Sequence, residues 1–348
     1  MSLLEKLGIR HPIFLAPMAG VSTPELAAEV SNQGGLGSLG LGASSVESAR
    51  AQILKTQELT DCPFQVNFFC HDSEECDDSI AQAWIAQFKD KFAEYGANAP
   101  TQLKCIYPSF KDNDDFLNLV LDTKPTAVSF HFGIPHPHQI QALKEAGIVT
   151  MVSATNFAEA KAIEAAGIDI IIAQGIEAGG HRGIFCTKFD ASVKTSNLVK
   201  LIKQHFSLPV VAAGGIMDGQ QARQMMELGA EAVQLGTAFV QCKSSNASDA
   251  YRRALLSKPL TQVSASISGR PARGIINHWH IEVDTPERLD VPVYPYTYDL
   301  AKQLYAAAAQ HGDHGYGAFW AGSNVAQIRE IEASDLVNQL VLEMKHSS

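Results

Sequence analysis

The six cysteines, at positions 62, 70, 76, 105, 186 and 242, include no Cys-x-x-Cys pair. Paired-thiol motifs of metal and redox sites are therefore missing, and reduced, cytoplasmic thiols are expected. No stretch of 18 apolar residues occurs, which excludes a helical membrane span and leaves a soluble chain as the expectation. The chain opens on the polar, charged Met1–Lys6 instead of a basic patch followed by an apolar run, so no secretory leader is read. Lys and Arg form no cluster, and their 27 are outnumbered by 37 Asp and Glu for a formal net charge of −10. That balance argues against a nucleic-acid footprint and makes a small molecule the expected partner. The histidine pairs His136/His138, His278/His280 and His311/His314 lack a carboxylate or cysteine at familiar ligand spacing, so no metal site is read.

What is present is apolar residue in quantity, 46% of 348, enough to bury a large α/β core. Eight short β-type runs stand at Ile13–Ala16, Leu36–Leu39, Phe64–Phe69, Ala127–Phe130, Val149–Ser153, Ile168–Ile172, Val210–Ala213 and Ala232–Leu235. Between them lie alanine-rich stretches with helical spacing, among them Pro24–Asn32, Val46–Gln57, Phe157–Ala165 and Gly219–Leu228. In the tightest units strand starts recur roughly every 20 residues, the length of one strand-loop-helix-loop unit. Eight such units predict an α/β fold, a (β/α)8 TIM barrel; an open doubly wound sheet shares the local pattern but not the count.

A long excursion after the third strand, residues 70–112, predicts an insertion with a helix over Ile80–Tyr95 and a ninth β-type run at Lys104–Tyr107. After Tyr251–Leu256 the alternation stops. The segment from 259 to 348 is rich in loops, with helices predicted near Thr297–Ala309 and Val325–Leu342, and reads as an extension packing over one end. The expected division is a barrel over 1–258 and an extension over 259–348 that contributes to the substrate site.

Glycine motifs fall at the carboxyl ends of the strands, where barrels bind ligands. Gly35-Leu-Gly37-Ser-Leu-Gly40 formally matches GxGxxG, but a helix-like Glu25–Asn32 precedes it and the glycines enter a strand, the wrong context for a dinucleotide fingerprint. Gly214-Gly215-Ile216 after the seventh strand and Gly236-Thr237 after the eighth are the expected phosphate positions. Ala16-Pro17-Met18-Ala19-Gly20 ends the first strand with small residues that let backbone approach a ring, and Ser22 or Thr23 can cap the next helix. Asn67 and Gln174 are amides near strand ends, able either to read the imide edge of a flavin or to satisfy nearby backbone.

After the sixth run, Ala173–Gly183 reads Ala-Gln-Gly-Ile-Glu-Ala-Gly-Gly-His-Arg-Gly and places His181 on a glycine-rich loop. An imidazole with an ordinary pKa of about 6.5 suits proton abstraction near neutrality. Arg182 beside it is read as an anion-positioning group or a surface ion pair. His131, closing the fourth run, is read as a residue of the barrel mouth or a structural histidine. Tyr294, Tyr298 and Lys302 recur at intervals of four, one edge of a helix if that helix includes Tyr294.

Taken together, Ala16–Glu25, Ser129–Gly133, Gly179–Gly183, Ala212–Ile216, Gly236-Thr237 and the Tyr294/Tyr298/Lys302 series resemble the flavin-dependent nitronate monooxygenases, formerly called 2-nitropropane dioxygenases, especially their class I members. The resemblance spans nearly the whole chain. It implies FMN in the barrel, contacted by Pro17, Met18, Ala19, Asn67, Gln174, Gly179, Gly180, Gly214, Gly215, Gly236 and Thr237. It implies His181 as base or substrate-orienting group, with His131, Tyr294, Tyr298 and Lys302 lining the substrate or flavin region. The reaction implied is oxidation of a nitronate with O2 to a carbonyl compound and nitrite through an anionic flavin semiquinone, with propionate-3-nitronate as one implied substrate. An FMN-dependent NAD(P)H reductase of a quinone or enoyl thioester, and a flavin-binding sensor without turnover, are the competing readings.

Overall fold

The computed structural model describes residues 2–345. Its centre is an eight-stranded parallel sheet of β1 (Ile13–Leu15), β2 (Gly37–Gly40), β3 (Phe64–Phe69), β4 (Ala127–His131), β5 (Val149–Ala154), β6 (Ile170–Gln174), β8 (Val210–Ala213) and β9 (Ala232–Leu235). β1 pairs with β9, and a parallel bridge from Phe14 to Leu36 joins β1 to β2, so the sheet closes as a (β/α)8 barrel. A short helix α1 (Leu3–Leu7) precedes it. The outer ring is α2 (Pro24–Asn32), α3 (Val46–Leu59), α6 (Asp115–Thr123), α7 (Pro137–Glu145), α8 (Phe157–Ala165), α9 (Thr195–His205), α10 (Gly219–Glu227) and, closing it between α10 and α2, the C-terminal α13 (Ala333–Lys345); α11 (Asp249–Leu256) packs instead against Val240, Ile275 and Phe319. Thr23, Ser45, Asn156, Asp218 and Ser248 each accept a backbone N–H at a helix start, a cap worth about 1 kcal/mol.

The strand repeat of two sets the chemistry of the barrel interior. Phe14, Leu36, Ala127, Val149, Met151, Ile170, Ile172, Val211 and Ala232 form one buried apolar cluster inside. Their neighbours Ile13, Leu15, Leu39, Val66, Val128, Val152, Ile171, Val210 and Val233 pack outward against the helices. At the carboxyl ends, the positions in phase with the inner set become polar: Asn67, Ser129, His131, Ser153, Gln174 and Gln234. A floor of hydrocarbon thus carries a rim of polar groups.

The insertion and the extension share a second core. Helices α4 (Asp78–Gln87) and α5 (Lys89–Glu94) replace the single helix expected over Ile80–Tyr95, because the chain turns at Phe88. The Phe88 ring packs 5.3 Å from both Trp84 and Trp279. With Phe92, Leu103, Leu300, Leu304 and Tyr316 these residues form one cluster, each large side chain worth about 1.5–3 kcal/mol on burial. The run Lys104–Tyr107 is not a strand: the Lys104 N–H donates to Asp299 Oδ2 at 2.8 Å, so a side chain of α12 (Tyr296–Gln310) takes the place of a neighbouring strand. The helix expected over Val325–Leu342 is instead a short turn at Val325–Gln327 followed by α13 (Ala333–Lys345). Val325 belongs to a different apolar cluster from Ala333, Leu336, Val337 and Leu340, and one straight helix would not reach both.

His181 lies in a strand, not a flexible loop. β7 (Gly180–His181) pairs with β11 (Ala272–Ile275), which pairs with β10 (Thr261–Ser264), an antiparallel ribbon laid across the barrel mouth. Among the described residues no helix is long and apolar enough to cross a membrane.

At the α2–β2 contact a Cβ on Gly37 would stand 2.0 Å from the Ala27 carbonyl oxygen and 2.5 Å from Ser31 Oγ. Gly37→Ala is expected to destabilise the fold by about 1–3 kcal/mol, read as a lower urea midpoint; an unchanged midpoint would refute this close approach.

Candidate active site

A cavity of about 670 Å³ opens at the carboxyl ends of the strands. Pro17, Met18 and Ala19 line it from the loop after β1, Asn67 from β3, His131 from β4 and Gln174 from β6. Gly179, Gly180 and His181 form another wall, Gly214 and Gly215 follow β8, Gly236 and Thr237 follow β9, and Tyr298 and Lys302 reach in from α12. Tyr294 stands apart. It precedes α12 and lies behind the wall, its ring 5.7 Å from His181 and 5.4 Å from Phe132.

Gly214 and Gly215 have φ of +119° and +73°, values that side chains resist, so the turn after β8 is built for glycine. The carbonyl of Gly215 accepts from Asn324 Nδ2 at 2.6 Å, and Thr237 Oγ1 accepts from Gly322 N at 3.0 Å. The segment 320–324 therefore ties the turns after β8 and β9 together. Paired turns of this kind at barrel strands seven and eight suit a phosphate. The cavity also falls within the range of about 300–1,000 Å³ that small-molecule sites occupy. These residues fit a phosphorylated flat-ring cofactor such as FMN.

Opposite the turns, the β6–β7 connection is held by charge and amides. Arg182 is fully buried, so it is neither a surface ion pair nor an anion grip for the cavity. Its Nε donates to Asp190 Oδ2 at 2.8 Å and its Nη1 to the Gly175 carbonyl at 2.6 Å and Gln174 Oε1 at 3.0 Å. Burial is the largest single effect on the Asp190 carboxyl and would raise it, but the Arg182 hydrogen bond, the Ser192 N–H and the Arg182 charge together hold the pKa below the usual value. Gln174 Oε1 also accepts from Gly183 N at 2.8 Å, which leaves Gln174 Nε2 to donate to the His181 carbonyl at 2.9 Å. His131 Nε2 reaches the same carbonyl at 3.0 Å, and its Nδ1 lies 3.0 Å from Ser153 Oγ. A carbonyl only accepts, so His131 carries its proton on Nε2. Asn67 Nδ2 donates to the Ser129 carbonyl and hydroxyl at 3.0 Å each.

The His181 ring is packed among Phe132, Tyr298 and Trp320, with Nε2 2.8 Å from Ser268 Oγ. Burial, reinforced by His131 and Arg270, pushes its pKa down to about 3. The ordinary value expected from its glycine neighbours does not hold, because Phe132, Tyr298 and Trp320 crowd the ring where it lines the cavity. Burial likewise brings His131 and His71 to about 4. Arg270 is buried, its guanidinium 4.5 Å from the centre of the Phe132 ring.

Tyr107, Trp320, Ser153, Tyr251 and Gly322 also line the cavity and were not read from the sequence. Lys302 Nζ donates to Tyr107 Oη at 2.8 Å and lies 5.8 Å from the Tyr298 ring centre. Tyr251 Oη donates to the Trp320 carbonyl. Tyr107 sits in the run misread as a strand; Trp320 and Gly322 carry no local motif.

A closed parallel barrel whose strand ends surround one ligand-sized cavity, walled by glycine turns, amides and neutral imidazoles, defines the scaffold of a small-molecule enzyme. Comparison with known proteins narrows the class. The profile of the family described as Nitronate monooxygenase matches residues 1–343. A nitronate monooxygenase of Pseudomonas aeruginosa is 48% identical over 342 residues, covering 97% of each chain. Among solved structures, nitroalkane oxidase from Streptomyces ansochromogenes superposes with a TM-score of 0.88 at 36% identity, covering 99% of this chain and 98% of the other. FabK from Thermotoga maritima superposes with a TM-score of 0.74 at 28% identity, covering 99% and 95%. The chain belongs to the nitronate monooxygenase family and is an oxidoreductase.

The depressed imidazoles make stability depend on pH. Below about 6.5 the unfolded chain binds protons at His71, His131 and His181 that the fold refuses until about 4, 4 and 3. Their penalty is absent above 6.5 and grows on acidification, by about 1.4 kcal/mol per pH unit for each. Urea midpoints are expected to fall steadily from pH 6.5 to 5; a flat profile would contradict the burial of these rings.

Proposed function

We propose that the chain binds FMN in this cavity and oxidises alkyl nitronates with O2 to carbonyl compounds and nitrite. The observation that carries the reading is the convergence of Gly214-Gly215, Gly236-Thr237 and His181 on one cavity at the strand ends. The turns after β8 and β9 would hold the phosphate. Pro17, Met18 and Ala19 would lie against the ring system, with Asn67, Gln174, Gly179 and Gly180 around it. When bound, FMN supplies the electron acceptor and the route to O2.

The chain's own residues have separate tasks. His181 serves as base or orienting group at the substrate, His131 holds the His181 carbonyl, and the aromatic wall of Phe132, Tyr298 and Trp320 limits water. Lys302 has no carboxylate partner among the described residues, so its charge is available to an anionic substrate. A nitronate is such an anion, and one bearing a carboxylate, such as propionate-3-nitronate, would draw on the same charge.

Purified protein is expected to show a flavin spectrum and to consume O2 and release nitrite over many cycles with an alkyl nitronate. His181→Asn is expected to keep FMN and lose about 100-fold in kcat/KM with a neutral nitroalkane. Rapid anaerobic bleaching by NADH, with no reduction by a nitronate, would replace the proposal with a reductase. A colourless protein that refuses FMN would end both.

Lys302→Met is expected to raise KM for nitronates about tenfold while changing kcat less, the signature of a lost charge-assisted contact. An unchanged KM would remove Lys302 from substrate binding.

A further inference from the structure

We infer that Ser268 is a positioning residue that fixes His181 in one tautomer, with the proton on Nε2 and the lone pair on Nδ1. Ser268 is fully buried and lies outside the cavity wall. Its hydroxyl oxygen has His181 Nε2 at 2.8 Å, the Arg270 carbonyl at 3.1 Å and the Arg270 N–H at 3.3 Å. A hydroxyl brings one proton and two lone pairs.

The Arg270 N–H uses one lone pair. The Arg270 carbonyl can only accept, and Ser268 Oγ is the donor it faces. The remaining lone pair meets His181 Nε2, which must then be the donor. In the other tautomer Ser268 would have to give its single proton to both Nε2 and the carbonyl, leaving one buried acceptor unpaired, a cost the first arrangement avoids.

The neighbouring elements hold this arrangement. His181 sits in β7 opposite Ala272, two residues after Arg270, and Arg182 N donates to the Pro271 carbonyl at 2.8 Å, so the two strands fix the approach of ring to hydroxyl. Arg270 Nη1 donates to the Ile184 carbonyl at 2.9 Å, tying the serine's own segment to the far side of the histidine strand.

The consequence deepens the proposed function and rests on it. A neutral His181 with its lone pair on Nδ1 can accept a proton but cannot donate one to nitronate oxygens. Of the two tasks considered, base and donor, this tautomer excludes donation to the substrate from Nδ1.

The tautomer is read independently of any substrate by long-range ¹H–¹⁵N correlation of the imidazoles in the purified holoenzyme at pH 7, with the His181 signals assigned by their loss in H181N. Wild type is expected to show a protonated Nε2 and an unprotonated Nδ1. Ser268→Ala is expected to give averaged shifts from a mixture of tautomers, and Ser268→Thr, which keeps the hydroxyl, to restore the single form. A wild-type proton on Nδ1, or an S268A spectrum identical to wild type, would overturn the assignment. If S268A does not fold, the wild-type and S268T spectra still decide it. Failure here would leave nitronate turnover untouched, whereas absence of turnover would leave the tautomer standing.

Discussion

The carbonyl oxygen of His181 is gripped from two sides, by Gln174 Nε2 and His131 Nε2, and the cavity takes its form from that grip. The two donors stand at the ends of β6 and β4. Each is constrained by its own partners: Arg182 and Gly183 at the Gln174 oxygen, Ser153 at His131 Nδ1. A single chain of contacts therefore runs from Asp190 through the buried Arg182 and Gln174 to the His181 backbone, His131 and Ser153. Releasing one member would strand polar groups in a place with little water, which is why such networks behave as units. The ring of His181 is placed by its backbone first and by Ser268 second.

The electrostatics follow from the same burial. Imidazoles that pack against aromatic rings lose the stabilisation of water and stay neutral, so the wall around His181 carries hydrogen-bonding direction but no charge. Positive charge enters from the C-terminal extension. Lys302 stands on α12 beside Tyr107 and Tyr298, and Arg270 backs the Phe132 ring. The insertion and the extension thus do more than cover the barrel. Their common core, built on Trp84, Phe88, Trp279 and Leu300, sets the distance between α12 and the strand ends.

Much of the barrel was legible in the chain because each strand buries both faces and reads as an apolar run, while each helix announces itself by caps and spacing. Boundaries moved by a residue or two where a side chain intervened, as at Asp169, whose carboxylate takes the Thr150 N–H and hydroxyl before β6 begins. The glycine turns were legible too, since their positions follow from strand count. The insertion was harder. Phe88 and Lys104–Tyr107 obey partners far along the chain, Trp279 and Asp299, and no local pattern reports them. Tyr107, Trp320 and Ser268 escaped for the same reason.

The amino-acid order by itself determined the eight-unit alternation, the glycine turns at the strand ends, the acidic balance and the amides and histidine at the ends of β3, β4 and β6, because all of these depend on periodicity and neighbours. Only the tertiary structure decided that His181 belongs to a strand, that Arg182 is buried against Asp190, that Tyr294 stands behind the wall, and that three histidines are neutral. The physical reason is that hydrogen-bond partners and loss of water are properties of groups brought together from distant segments. A residue's neighbours in sequence carry no record of them.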